Sequence, residues 1–355
     1  MSNILFLVPY PINEAPSQRF RFEQYFNALL ANKHTFTVQS FISISTWKIL
    51  YKPGYTLKKV IGILAGFLRR FAILFQLWKY DFVFIHREAS PLGPPIFEWL
   101  ICKLFKKKVI FDFDDAIWLP NTSGENKIVA SIKWHSKTAL ICKWAYKCSC
   151  GNAFLANYAK QFNSNVVINP TTIDLENYHS GKKDQSTTPI KIGWTGTHTT
   201  LKYLNDIIPA LQSVQSKINF SLVIISNKDP ELSLQNVEFI PWKKETEIND
   251  LLRFHIGIMP LTDDDWSRGK CGFKALQYMS LGIPAIVAPV GVNTAIVDHQ
   301  QNGFLCSTNQ DWENALLQLL SNQNLRTALG ENAQQKIQTH FSVKANTPNF
   351  LQLFK

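Results

Sequence analysis

At 355 residues, with 46% apolar and 13% aromatic side chains, the chain is long enough for two buried cores, and its composition excludes a disordered polypeptide. Six cysteines (Cys102, Cys142, Cys148, Cys150, Cys271, Cys306) show no CxxC pairing, so they read as core thiols of a reducing cytoplasm, not as a disulfide framework or a zinc site. The net charge of +11 is lopsided: residues 1–180 hold 21 Lys and Arg against 11 Asp and Glu, a net of +10, and residues 181–355 a net of +1, so an anionic partner is expected on the first half.

The chain opens on Ile4–Val8, an apolar run ended by Pro9 and Pro11 and lacking a basic leader. It reads as a first buried strand and not as a signal peptide. Further strands are predicted at Thr35–Ser40, Asp81–Ile85, Lys108–Phe113 and Asn165–Ile168. Helical patterns lie between them near Ser17–Leu30, Tyr55–Trp78, Pro95–Phe105 and Ile128–Lys147. Short apolar runs separated by longer amphipathic ones imply a parallel sheet with crossover helices.

Val60–Tyr80 is long enough to span a bilayer, but Arg69 and Arg70 in its middle would cost about 5–7 kcal/mol on the insertion scale. Two readings stand: an interfacial helix whose basic face (Lys58, Lys59, Arg69, Arg70, Lys79) meets an anionic membrane, or an ordinary domain helix with snorkelling cations. Nucleic acid is the weakest partner, because these cations are interleaved with a long apolar helix and not with aromatics on a sheet.

Polar residues crowd two predicted strand ends. Arg87, after the third strand, has the fork geometry for a phosphate or pairs with Glu88 at the surface. Asp112-Phe113-Asp114-Asp115 follows the fourth, and its carboxylates suit a ligand contact, a cap or a metal. Arg19, in the first strand-to-helix connection, is a further phosphate candidate.

His179–Pro189 is polar and is the expected linker. The pattern then restarts, with strands at Lys191–Trp194, Phe220–Ile225, Val237–Ile240, Ile256–Met259, Ala285–Ala288 and Phe304–Cys306. Helices are expected at Thr199–Val214, Glu245–Arg253, Gly272–Leu281, Asn309–Leu320 and Asn324–His340. The domains read as 1–178, a linker at 179–189, and 190–340, with 341–355 crossing back to the first. No GxGxxG follows the first strand, against a nicotinamide enzyme, and no HxxH or HExxH spacing supports a metalloenzyme. Asp263–Asp265 reads as a loop.

Two segments of the second half carry the chemistry. In Ile192–Thr200 (IGWTGTHTT) a strand ends at a turn containing Gly196 and Thr197, followed by a helix start. Arg268–Asn293 (RGKCGFKALQYMSLGIPAIVAPVGVN) joins a basic glycine turn to a helix, an apolar strand and a second glycine turn. Unpaired N–H groups at the helix start near Gly272, with Lys270 and Lys274 beside it, suit a diphosphate.

Together these segments resemble glycosyltransferase family 4 (group 1) with the GT-B fold, along with PSQRFRFEQYFNALL, IHREASPLGPP, VIFDFDDAIWLP, INPTTID, GIMPLTDDDW and NGFLC. The resemblance implies two Rossmann-like doubly wound α/β domains facing a central cleft. It implies transfer of a sugar from a nucleoside-diphosphate sugar to a lipid-linked or polysaccharide acceptor, with retention. No metal or other cofactor is expected, and the protein would be cytoplasmic and peripheral on the inner membrane. The family's paired acids fall on Gly269 and Gln277, leaving Gln277 as a ribose contact through its amide. The diphosphate falls to Lys270 or Lys274, with Gly196, Thr197, Gly272, Gly291 and Asn293 around the donor. On the first domain Asp114 or Asp115 takes the sugar-contacting position. The absent acids keep a second reading open, a catalytically inactive GT-B scaffold.

Overall fold

The computed structural model describes residues 1–120 and 134–355. The described chain divides into two compact units, Met1–Thr171 with Asn346–Lys355, and Thr172–Ala345.

In the first unit six parallel strands are ordered β2-β1-β3-β4-β5-β6, namely β1 (Asn3–Val8), β2 (Thr35–Ser40), β3 (Phe82–His86), β4 (Lys108–Phe113), β5 (Lys147–Cys150) and β6 (Val166–Ile168). The inner strands are continuous apolar runs because helices cover both faces. Phenylalanines fill the core: Phe6 packs on Phe84 at 4.9 Å and on Phe22 at 5.4 Å, and Tyr25 stacks on Phe350 of the C-terminal segment at 4.3 Å. The long helix predicted at 17–30 is instead broken into Pro16–Arg19, a 3₁₀ turn at Glu23–Tyr25, and Phe26–Ala31. Of the helix predicted at 128–147, residues 128–133 lie outside the described residues; the rest forms Lys137–Trp144 and then β5, a strand that periodicity missed.

The second unit repeats the plan with order β12-β11-β10-β7-β8-β9. Its strands are β7 (Lys191–Gly196), β8 (Ser221–Ser226), β9 (Val237–Pro241), β10 (Ile256–Met259), β11 (Ala285–Val287) and β12 (Gly303–Leu305), all parallel. Ile192, Trp194, Leu211, Ile224, Ile258, Ile286 and Leu316 are among its core residues. Residues 179–189, expected as a linker, lie inside this unit. There the Gln185 amide donates to the carbonyls of His255 (3.2 Å) and Gly282 (3.4 Å), and Arg326 donates back to Gln185. Both sheets are thus parallel and doubly wound, the α/β plan the sequence leads one to expect.

Candidate functional site: the carboxyl ends of the second sheet

In the second sheet β7 lies between β8, which follows it in sequence, and β10, which does not. That reversal opens a crevice at the carboxyl ends of β7 and β10, the usual ligand position in open α/β sheets. Gly196 ends β7 there. A Cβ on Gly196 would sit 2.6 Å from the Trp194 ring and 2.8 Å from Lys274 Cε, so the absence of a side chain lets Lys274 cross the strand end. The Lys274 ammonium lies 5.6 Å from the Trp194 ring centre.

Lys274 stands on the helix Phe273–Ser280, which starts at Gly272 with φ +68°. A side chain at Gly272 would be strained by that dihedral and would collide with Ile296 Cδ1 at 2.2 Å. The helix therefore starts beside a bare backbone. Lys270, one turn earlier, holds its ammonium 5.4 Å from the Trp266 ring. Thr197 exchanges a hydrogen bond with Thr199 at 2.8 Å and its carbonyl accepts from Thr200. The structure thus gathers Gly196, Thr197, Gly272 and Lys274 around one strand-to-helix crevice.

Three other expected donor residues go elsewhere. Gln277 is 2% exposed and turns away from solvent; its amide donates to Glu247 at 3.3 Å and lies 3.5 Å from His179. Glu247 also accepts from Tyr178 (2.6 Å) and Trp242 (3.1 Å), so the position expected to hold a ribose is part of a buried polar network. Asn293 is buried and donates to the Ala288 carbonyl at 3.0 Å, closing the turn after β11. Gly291 packs against the carbonyl of Arg268. The acidic run 263–265 is not a plain loop: Asp264 caps the helix Asp265–Arg268, and Arg268 pairs with Asp263 and Asp265.

Sequence reasoning missed the link between the loops after β7 and β8. Asn227 accepts from the His198 N–H at 2.8 Å, and its amide meets the His198 ring at 3.0 Å. These loops border a cavity of about 270 Å³ lined by His198, Lys202, Asn205, Lys228 and Glu231 among others. Position just after two predicted strands was the signal that could have found them. A larger hollow of about 530 Å³ beyond β10–β12, lined by Asp206, Thr262, Ser307 and Trp312 among others, includes none of the predicted donor residues.

In the first unit Arg87 does not stand alone as an anion site. At φ +61° it donates from Nε to Asp114 and from Nη2 to Asp115, both at 2.7 Å. Burial disfavours its charge, but the two carboxylates outweigh burial and hold the guanidinium more firmly protonated than usual. Two carboxylates on one cation leave a net negative cluster, which would repel a phosphate. Glu88 pairs with Lys137 at 2.7 Å and not with Arg87. Arg19 is 7% exposed, with its guanidinium 5.0 Å from the Phe20 ring. A second missed cluster sits below: Asp112, fully buried, accepts from His86 (2.8 Å), Ser149 (2.7 Å) and Arg21. Burial alone would raise its carboxyl; the Arg21 charge and the His86 hydrogen bond instead hold it well below the ordinary carboxylate range. Arg21 and Asp112 are 91 positions apart, and no sequence spacing announces the pair.

Residues 179–336 match the family model described as glycosyl transferases group 1. That segment is somewhat under half of the chain, and within it the chain is similar to the glycosyl transferases of group 1. Solved structures share the fold over the full chain. Sucrose-phosphate synthase from Thermosynechococcus elongatus aligns with TM-score 0.68 at 13% identity, covering 100% of this chain and 98% of that one. Anabaena HepE in complex with UDP-glucose aligns with TM-score 0.65 at 14% identity, covering 99% of each chain. A glycosyltransferase from Rickettsia africae aligns with TM-score 0.67 at 14% identity, covering 99% and 97%. No curated protein sequence matches. The match to the group 1 glycosyl transferases takes in β7 through β12, and with them Gly196, Gly272 and Lys274.

Proposed function

We propose that the protein is a glycosyltransferase that moves a sugar from a nucleoside-diphosphate sugar to a saccharide or lipid-linked acceptor, with retention of configuration, in the cytoplasm at the membrane surface. The observation that carries the proposal is Lys274 crossing Gly196 beside the left-handed start of its own helix, which puts a cation and the positive end of that helix where a diphosphate would lie. The fold-mate HepE is described in complex with UDP and with UDP-glucose, which supports a uridine donor as the first to test.

As the bond to the sugar breaks, the nucleoside diphosphate gains negative charge. Lys274, Lys270 and the helix start stabilise that charge more than they stabilise the bound donor, which is what lowers a barrier. This chemistry asks for no metal. Asp114 and Asp115, held in place by Arg87, are the carboxylates proposed to contact sugar or acceptor hydroxyls.

Titration calorimetry with UDP, ADP and GDP, followed by transfer assays with the matching sugars, tests the reading. Saturable binding of one diphosphate, weakened by Lys274→Ala, is expected, and the product anomer read by NMR tests retention. A folded protein that binds none of the three would overturn it. A second reading, a non-catalytic binding protein, is favoured by Gly269, which offers no side chain, and by Gln277, which is committed to Glu247. It predicts diphosphate binding without turnover on any donor.

A further inference from the structure

The helix Thr56–Leu74 has its faces reversed relative to a helix that simply packs on a domain. Gly62, Gly66, Arg70 and Ile73 face inward. A Cβ on Gly62 would meet Thr46 Oγ1 at 2.4 Å, and one on Gly66 would meet the Phe41 ring at 2.7 Å, so the helix lies close against its neighbours and cannot roll. The large apolar side chains point outward. Leu57, Ile61, Leu64, Leu68, Phe71 and Phe75 recur at i, i+4, i+7, i+11, i+14 and i+18, one continuous stripe, and every one is at least half exposed, with Phe75 at 81%. Trp78 extends the stripe at 76% exposure. Phe71 touches Phe97 at 5.0 Å, and the chain beside Phe97 exposes Ile96, Trp99 and, in the next turn, Leu104. Soluble monomers seldom expose a contiguous apolar patch of this kind without covering it.

The charge around the stripe identifies the cover. From Gln24 to Tyr80 the sequence contains no Asp or Glu, and Lys52, Lys58, Lys79, Lys103 and Lys106 are exposed on or next to the segments that carry the patch. Lys58 and Lys59 stand in the first turn of the helix, where the helix dipole disfavours cations unless an anion is close. A second copy packed on this face would press the lysine ring against itself, whereas phosphate headgroups complement it. Among the described residues no helix is long and apolar enough to cross a membrane. We infer that the outer face of Thr56–Leu74, with Trp78, Trp99 and Leu104, lies in the plane of an anionic bilayer, its apolar stripe among the acyl chains and its lysines among the headgroups. Arg69 and Arg70 are not part of that contact, because they bond to backbone carbonyls on the inward side.

This deepens the membrane-side part of the proposed function, and vesicle binding measured without donor or acceptor separates its failure from failure of the transferase reading. The full chain is sedimented with vesicles of phosphatidylglycerol and phosphatidylethanolamine and with phosphatidylcholine vesicles, at about 0.1 M salt. Binding to the anionic vesicles alone is expected. Leu64→Ser with Leu68→Ser should lower it by roughly tenfold or more per leucine, and each of Lys58→Glu and Lys79→Glu by roughly fivefold or more. Thermal melts and diphosphate titration confirm that the variants remain folded. The inference is overturned if the wild type stays in the supernatant with anionic vesicles. It is equally overturned if the folded double serine variant binds as the wild type does, or loses a concentration-dependent dimer in place of vesicle binding.

Discussion

Arg70 donates from Nη2 to the carbonyl oxygen of Val8 at 2.8 Å while its side chain is fully shut off from solvent. The same guanidinium reaches the Ala89 carbonyl at 2.7 Å and both the carbonyl and side chain of Gln39. One arginine thus satisfies acceptors near the carboxyl ends of β1, β2 and β3, and burial lowers its pKa to about 9.

Replacing Arg70 by Leu should therefore destabilise the first unit by about 3–5 kcal/mol, since it strands several buried carbonyls at once. Leu68→Ser on the opposite face of the same helix should stay within about 0.5 kcal/mol. Urea unfolding, followed by a probe in each unit because two units need not unfold together, would show the contrast. Equal effects of the two substitutions would refute the orientation of this helix.

That helix shows what the sequence makes legible. Periodicity locates an amphipathic helix at 55–78 but does not say which face packs inward. The structure turns the large apolar side chains outward and Arg70, counted in the expected basic face, inward, and the hint lay in Gly62 and Gly66, whose four-residue spacing matches Arg70. The alternation of strands and helices exposed both sheets except β5, whose sequence KCSC lacks the branched residues that mark a buried strand. At the candidate site the glycine turns and Lys274 were readable because short-range spacing controls them. The fate of Gln277 was not, since Glu247 and His179 reach it from 30 and 98 positions away.

Lys274→Ala should weaken diphosphate binding by roughly ten- to a hundredfold, the usual cost of a lost charge-assisted hydrogen bond. Gly196→Ala should weaken it too while leaving the charge in place, because the new methyl would displace the lysine stem and the Trp194 ring. Calorimetric affinities with melting temperatures on the same samples would check both. Unchanged affinity in Lys274→Ala would move the diphosphate away from this crevice.

Restoring the family carboxylate by Gln277→Glu should not restore a ribose contact. The new carboxylate would sit beside Glu247, buried, with no added cation to pair with it. The expected result is a second unit less stable by on the order of 1–3 kcal/mol at neutral pH, seen as a lower melting temperature, with no gain in diphosphate affinity. A variant that binds more tightly without loss of stability would show that position 277 reaches ligand.

His255 sets an acid limit on the second unit. Its ring is 2% exposed; Nδ1 accepts the Lys191 N–H at 3.1 Å and Nε2 faces the Thr187 carbonyl at 2.8 Å. Those partners require a neutral ring with its proton on Nε2, because a proton on Nδ1 would point at the Lys191 N–H. Burial, reinforced by the charge of Lys183, lowers the pKa from 6.5 to about 4. Between these two values the unfolded chain binds a proton that the folded unit does not, so stability falls as pH drops from 6.5 toward 4 and is unaffected by this group above 6.5. The loss should be on the order of 1–3 kcal/mol, after allowance for solvent near the ring. His255→Gln keeps a hydrogen-bonding side chain without a titrating group. It should flatten the dependence of the second unit's unfolding midpoint across that window, and a slope equal to the wild type's would assign the acid sensitivity to other groups.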